Sequence, residues 1–185
     1  MAIPGLRYVS DYLDPASHDR LFAAVNTTTW RHDPGGRGFQ IYGYSYHHTK
    51  GGIHRIDDLP DWAAYLGKCL WQNGLMPYVP DQLIANEYPS GTGIFPHVDA
   101  PFFDDTVVSV SLGSSCVMLF TESATGRVEE MFLAPRSALV IAGEARDKWK
   151  HSIPPRPQDT WMDQVISRGT RVSLTFRKML RTSGM

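Results

Sequence analysis

From residue 82 onward the chain runs in short segments whose apolar residues alternate with polar ones: QLIANEY, TVVSVSL, SCVMLFT, VEEMFL, SALVIAG and RVSLTFRKM, set apart by Gly, Pro and Ser clusters. A period of two places one face of such a segment in a core and frees the other for solvent or a ligand, as in a half-buried strand. A succession of these segments predicts antiparallel strands arranged as a sandwich or jelly roll.

The first 80 residues read differently. Asp14 before Pro15 offers an N-cap followed by Pro at the first helical position, and Leu21, Phe22 and Val25 recur at helical spacing, so a helix is expected over about residues 15 to 26. A second helix is expected from Pro60, where Trp62, Tyr65, Leu66, Cys69 and Leu70 form one stripe that Gly74 and Pro77 end. Both helices are expected to cover one sheet. Residues 153–169, IPPRPQDTWMDQVISRG, read as a long irregular loop. No repeat or composition break divides the chain. The expectation is one α+β, mainly β domain over 1–185: N-terminal helices and a lid-like segment over about 1–80, and a double-stranded β-helix (jelly roll) core over about 81–180.

Composition closes off several classes. With 185 residues, 42% hydrophobic and 20% charged, the chain has length for a sizeable core, which excludes disorder and coiled coil. A net charge of −1 gives no global positive field toward nucleic acid, so any such contact needs a local patch. No apolar run reaches the roughly 18 residues of a spanning helix, and MAIPGLRYVSD lacks the pattern of a leader. A cytoplasmic monomer with no membrane segment is expected. Cys69 and Cys116 lie far apart in apolar surroundings and are expected as free thiols; zinc binding through cysteine pairs is excluded by their number.

His97 and Asp99, in NEYPSGTGIFPHVDAPFF, stand at i and i+2, so on an extended backbone both point to one face and can share an ion. With 7 His and 14 Asp in the chain, about 0.5 such pairs arise from composition alone, so the pair needs a third partner. His151 is the best candidate, at an expected strand end before a Pro-rich loop. Two histidines and a carboxylate with open positions are the facial triad of non-haem Fe(II) oxygenases, and zinc accepts the same donors. In RVSLTFR, Val172, Leu174 and Phe176 share one face while Arg171, Ser173, Thr175 and Arg177 share the other. Two guanidinium groups there suit a dicarboxylate such as 2-oxoglutarate, or lie solvated on an exposed face. Arg31 and Arg37 repeat the same six-residue spacing inside a Gly-rich loop, so spacing acquires meaning only from its strand. Asn86 and Tyr88 alternate in the same way and add an amide and a phenol.

Taken in order, N-x-Y, H-x-D, VVSVSLGSS, APRSALVIAGEARDKWKH and RVSLTFR resemble the AlkB family of Fe(II)/2-oxoglutarate-dependent dioxygenases, which act mostly on alkylated nucleic acids. The resemblance is dense over residues 82–180 and moderate over GFQIYGYSYHH, and it looks closest to the branch containing the oxygenase of wobble-uridine side chains in tRNA. It implies an oxidoreductase using Fe(II), 2-oxoglutarate and O2, with His97, Asp99 and His151 as the catalytic iron ligands. It also implies a 2-oxoglutarate site of Asn86, Tyr88, Arg171, Ser173 and Arg177, in which Arg171 and Tyr88 take the distal carboxylate and Arg177 and Asn86 lie near the iron-bound end.

The implied partner is alkylated or otherwise modified DNA or RNA, offered as a single-stranded or flipped base, with dealkylation in repair or hydroxylation in RNA modification as the outcome. Gln40, Tyr42, Tyr44, Tyr46 and His48 alternate onto one face of a lid-like segment, and aromatic faces stack bases for roughly 1 to 3 kcal/mol each. Tyr42, Tyr44, Tyr46, Pro101 and Ser109 are the candidate substrate contacts; Arg146, Lys148, Lys150, Arg156, Lys178 and Arg181 are candidate phosphate contacts. Repair members of the family carry an acidic residue where this chain has Pro101, and Asn where it has Ser173. Two other readings stay open: an oxygenase for a small molecule or protein side chain, and a non-catalytic jelly-roll nucleotide-binding module.

Overall fold

The computed structural model describes residues 3–47 and 52–180; the Tyr46 side chain, His48 and Arg181, singled out above, lie outside what is described. In chain order the elements are β1 (Leu6–Val9), α1 (Pro15–Val25), β2 (Arg31–His32), β3 (Gly38–Tyr42), β4 (Tyr44–His47), β5 (Gly52–Arg55), α2 (Asp61–Gln72), β6 (Gln82–Tyr88) and β7 (Ile94–His97). They continue with β8 (Thr106–Gly113), β9 (Cys116–Glu122), β10 (Val128–Leu133), β11 (Ala138–Ala142), α3 (Glu144–Asp147), β12 (Trp149–Ile153), β13 (Gln158–Trp161), β14 (Gln164–Ser167) and β15 (Arg171–Arg177).

A seven-stranded sheet in the order β1-β11-β8-β15-β6-β3-β2 faces a four-stranded sheet in the order β10-β9-β12-β7. Their strands pair antiparallel, as the alternating sequence predicts, and the architecture is a jelly roll. Alternation divides the large sheet cleanly. Val108, Val110 and Leu112 of β8 and Val172, Leu174 and Phe176 of β15 turn outward, onto a core shared with Val25 of α1 and Ala63, Leu66 and Leu70 of α2. The two helices therefore do cover one sheet. Phe176, Leu174 and Val172 have no exposed surface, and each such side chain contributes roughly 1.5 to 3 kcal/mol on burial.

Helix α1 starts where the sequence places it: an Asp14 carboxylate oxygen accepts the Ser17 backbone N–H at 2.8 Å, and Pro15 opens the first turn. A cap of this kind stabilises by about 1 kcal/mol. The other faces of β8 and β15 line the space between the sheets, together with a second core around Phe120, Leu133, Leu139, Trp149 and Ile153.

Two expectations are corrected. Residues 153–169 are not irregular: β13 and β14 form a hairpin in which Trp161 pairs with Gln164 across a two-residue turn. Met162 and Asp163 both have positive φ, 48° and 62°. That is the backbone of a type I′ turn, normally announced by Asn-Gly or Asp-Gly, and Met-Asp carries no such signal. The second correction concerns the lid-like segment. Gly43, at φ 82°, breaks it between β3 and β4. A Cβ there would stand 1.9 Å from the Asp81 carbonyl oxygen, so the close approach requires glycine.

Candidate active site

Between the sheets lies a cavity of about 340 Å³. Its floor is the inner face of β15 and the neighbouring strands. Arg171, Ser173, Thr175 and Arg177 are all buried, so the polar face of RVSLTFR is an interior wall and not a solvated one. Ser173 and Ser109 hydroxyls are hydrogen-bonded at 2.7 Å, and Ser173 meets the Thr175 hydroxyl at 3.2 Å. Arg171 stands opposite Tyr88 in register, with its guanidinium 5.6 Å from the centre of the Tyr88 ring. Its Nη2 donates to the Ser111 hydroxyl at 2.9 Å, while Nε and Nη1 are buried with no hydrogen-bond partner among the described residues. Buried donors of this kind are costly unless an acceptor meets them.

His97 and His151 come together because β7 and β12 are neighbours: the two residues are direct cross-strand partners, with ring centres 4.3 Å apart. His97 Nδ1 lies 2.8 Å from the Phe95 carbonyl oxygen. A carbonyl only accepts, so Nδ1 donates, and in the neutral ring Nε2 is the nitrogen that offers a lone pair. His151 is buried with its Nε2 3.8 Å from Asp99 Oδ2. Burial lowers the His151 pKa to about 4 despite the opposing charge of Asp99, so its imidazole is neutral at pH 7.

Asp99 is buried too. Burial works against its charge, but the Arg177 guanidinium overrides this and holds the carboxyl at about 2. Arg177 Nε donates to Asp99 Oδ1 at 2.8 Å and Nη2 does so at 2.5 Å, while Nη1 reaches Gln82 Oε1 at 3.3 Å. As these side chains stand they converge without closing a coordination sphere; among the described residues no three His, Cys, Asp or Glu are grouped to hold an ion. The donor set nevertheless fits a divalent ion: two imidazoles and an ionised carboxylate with one oxygen not held by Arg177. The unpaired donors of Arg171 in the same cavity fit a carboxylate.

The other sequence candidates fall on both sides of the cavity wall. Asn86 and Tyr88 line it; Asn86 faces Ser173 in register, and its Oδ1 accepts from Arg37 Nη1 at 3.0 Å. Tyr44 and Ser109 line the cavity. Tyr42 does not: the break at Gly43 leaves it on the helix side, where it meets Trp62 edge-on and donates to Gln40 Oε1 at 2.9 Å. Gln40 in turn donates to the Val25 and Thr28 carbonyls. Phe39 and Ile41 take the cavity face of β3. Pro101 is exposed on the loop after Asp99.

The basic residues offered for phosphate contacts are mostly engaged. Arg146 is buried and donates to the Ala100 and Phe103 carbonyls at 3.0 and 3.1 Å, which fixes the loop behind Asp99. Arg156 bonds Asp159, Lys178 pairs with Asp81 and Lys148 with Glu144, leaving Lys150 as an exposed cation. Sequence reasoning missed Gln82, although extending the Asn86–Tyr88 alternation back to the start of β6 reaches it. It also passed over Arg37, for which no local signal exists.

The 2OG-Fe(II) oxygenase superfamily model matches residues 12–177. The chain is 33% identical over 204 residues to "Alkylated DNA repair protein ALKBH8 homolog" of Arabidopsis thaliana, covering 96% of this chain and 59% of that protein. It is 32% identical to the mouse "tRNA (carboxymethyluridine(34)-5-O)-methyltransferase ALKBH8", covering 96% and 31%. The chain thus spans well under two thirds of these two relatives. Among solved structures, OsALKBH1 superposes with a TM-score of 0.69 at 18% identity, covering 96% of this chain and all of that one. A Pseudomonas putida prolyl-4-hydroxylase gives 0.62 at 14%, covering 95% and 94%; both likenesses concern the fold. The chain belongs to the 2OG-Fe(II) oxygenase superfamily, whose members use Fe(II), 2-oxoglutarate and O2, and its relatives are of the AlkB type.

Proposed function

We propose that this chain is an AlkB-type Fe(II)- and 2-oxoglutarate-dependent dioxygenase that oxidises alkyl C–H bonds on modified bases of DNA or RNA. The observation that carries the reading is the convergence, in one cavity, of His97, Asp99 and His151 with a buried Arg171 whose Nε and Nη1 lack an acceptor among the described residues. His97, Asp99 and His151 would hold the iron. Arg171 and Tyr88 would take the far carboxylate of 2-oxoglutarate, with Ser173 beside them and Arg177 at the metal end.

When bound, the iron and its co-substrate supply the oxidation: O2 is split, one oxygen leaving in succinate as CO2 is lost and the other entering the substrate C–H bond. The chain's own residues do the rest. Arg177 keeps Asp99 ionised, burial keeps His151 neutral, the Phe95 carbonyl fixes the His97 ring, and Ile84, Ile94, Met118 and Ile141 keep the cavity wall apolar.

The wall also bears on the base. Arg37, Arg171 and Arg177 face the cavity, and Asp99 is the one carboxylate among its lining residues. Among the described lining residues a cationic alkylated base would meet no protein counter-charge beyond a metal ligand, so an uncharged or anionic base, flipped or single-stranded, is the better guest. The test is succinate release, with Fe(II) and ascorbate, across methylated and etheno bases and modified uridines in DNA and RNA. Turnover on such a base that vanishes in Asp99→Ala supports the proposal; full activity of Asp99→Ala defeats it.

A second reading, oxygenation of a small molecule or protein side chain, is favoured by the net charge of −1 and by the pairing of Arg156, Lys178 and Lys148 with carboxylates. Binding to single-stranded oligonucleotides distinguishes the two: affinity that falls with salt supports nucleic acid, and a slope near zero supports the smaller substrate.

A further inference from the structure

Arg37 belongs to no motif, yet it stands at the co-substrate wall. It immediately precedes β3, whose Gly38 faces Glu87 of β6, so continuing that register sets Arg37 opposite Tyr88, which itself faces Arg171. Arg37, Tyr88 and Arg171 thus form one row across three neighbouring strands.

The Arg37 guanidinium is held from both sides. Nε donates to Asp33 Oδ2 at 3.0 Å, and Nη1 donates to Asn86 Oδ1 at 3.0 Å. Its charge, with that of Arg171, opposes the rise in the Tyr88 pKa that burial causes. The turn beneath is built to fix it: Asp33 Oδ1 accepts the backbone N–H groups of Gly35 and Arg37, Asp33 N–H bonds the Arg37 carbonyl, and Gly36 supplies the positive φ that closes the loop. Phe39 and Ile41, the next residues of the same strand, line the cavity.

We infer that Arg37 is a positioning residue for the co-substrate, presenting Asn86 and Tyr88 to 2-oxoglutarate and tying that end of the cavity to the β3 wall. The inference rests on the reading of the site as a 2-oxoglutarate pocket. Arg37 acts through its neighbours: its fork orients the Asn86 amide, and its charge adds to that of Arg171 beside Tyr88, where a carboxylate is to be received. Because the Asp33 turn already orders its side chain, little rotamer freedom is lost when the pocket fills.

The test is calorimetric binding of 2-oxoglutarate to the Mn(II)-loaded protein, with Mn(II) as a redox-inert stand-in, for the wild type and for Arg37→Met, Arg37→Lys and Asp33→Asn. Arg37→Met is expected to weaken 2-oxoglutarate about tenfold or more. Arg37→Lys should recover part of that loss, Asp33→Asn should show a smaller one, and Mn(II) affinity should stay within about twofold in all three. In turnover the loss should appear in KM for 2-oxoglutarate, with kcat held. Unchanged 2-oxoglutarate affinity in Arg37→Met overturns the inference, as does a parallel loss of Mn(II) binding, which would mark general damage. If Arg37→Met does not fold, Arg37→Lys and Asp33→Asn decide it by the same criterion. A wild type that binds Mn(II) but not 2-oxoglutarate overturns the functional reading itself.

Discussion

Arg177, on the central strand β15 of the large sheet, donates from Nε to Oδ1 of Asp99 at 2.8 Å, across 78 residues of sequence. The pair fastens the loop after β7 to β15 and keeps a buried carboxylate ionised. It also joins the two halves of the site, since Arg177 shares its strand with Arg171 and Asp99 lies beside His151.

Removing one partner strands the other. In EDTA, Arg177→Met should lower unfolding free energy by about 3 to 5 kcal/mol, the range for an uncompensated buried charge. Asp99→Asn in the same background should recover part of the loss, because the stranded anion is gone. Urea denaturation of the two single variants and the double variant checks the coupling.

Arg171 should behave in the opposite way. Two of its nitrogens are buried without partners among the described residues, so Arg171→Met should raise metal-free stability by about 1 kcal/mol. The same change should weaken 2-oxoglutarate on the order of 100-fold, since the carboxylate loses its charged partner. Thermal unfolding and binding calorimetry on one preparation would show the two effects diverging.

Acid should loosen the base of the β13–β14 hairpin. Asp159 is buried, which opposes its charge, but bonds from Arg168, the Val117 N–H and Arg156 hold its carboxyl below the ordinary value of 3.8. A depressed folded pKa contributes stability that is present above pH 3.8 and is lost as pH falls through the folded value. Between pH 5 and pH 2 the wild type should therefore lose stability more steeply than Asp159→Asn, which starts lower; urea midpoints across that range test the difference in slope.

The turn at Met162 and Asp163 carries positive φ on two ordinary residues. Replacing the pair with Asn-Gly should raise stability by about 1 kcal/mol without touching the cavity. Differential scanning calorimetry measures the gain, and an unchanged or lower midpoint would contradict a type I′ assignment.

Alternation made the large sheet legible in the sequence. Val172, Leu174 and Phe176 had to share a face, and Arg171, Ser173, Thr175 and Arg177 the opposite one, because strand side chains alternate whatever the surroundings. The same rule put His97 and Asp99 on one side of their segment. It failed at GFQIYGYSYHH because Gly43 breaks the strand, and nothing local announces that the Asp81 carbonyl oxygen passes 1.9 Å from where a Cβ would be. The Met162–Asp163 hairpin was invisible for a related reason: sheet pairing imposes its turn on residues that do not favour it.

Sequence by itself determined the alternating strands of the jelly-roll core, helices α1 and α2, the two faces of β15 and the pairing of donor types suited to a divalent ion and a dicarboxylate. Tertiary structure alone decided which polar face became an interior, and which of two equally spaced arginine pairs met there. Arg171 and Arg177 are buried because the small sheet closes over β15, and Arg37 joins them because the Asp33 turn folds back against β6. Spacing along a chain fixes the direction of a side chain within its own strand; what that side chain faces depends on strands brought alongside from far away in the sequence, and there the desolvation and the hydrogen-bond partners are set.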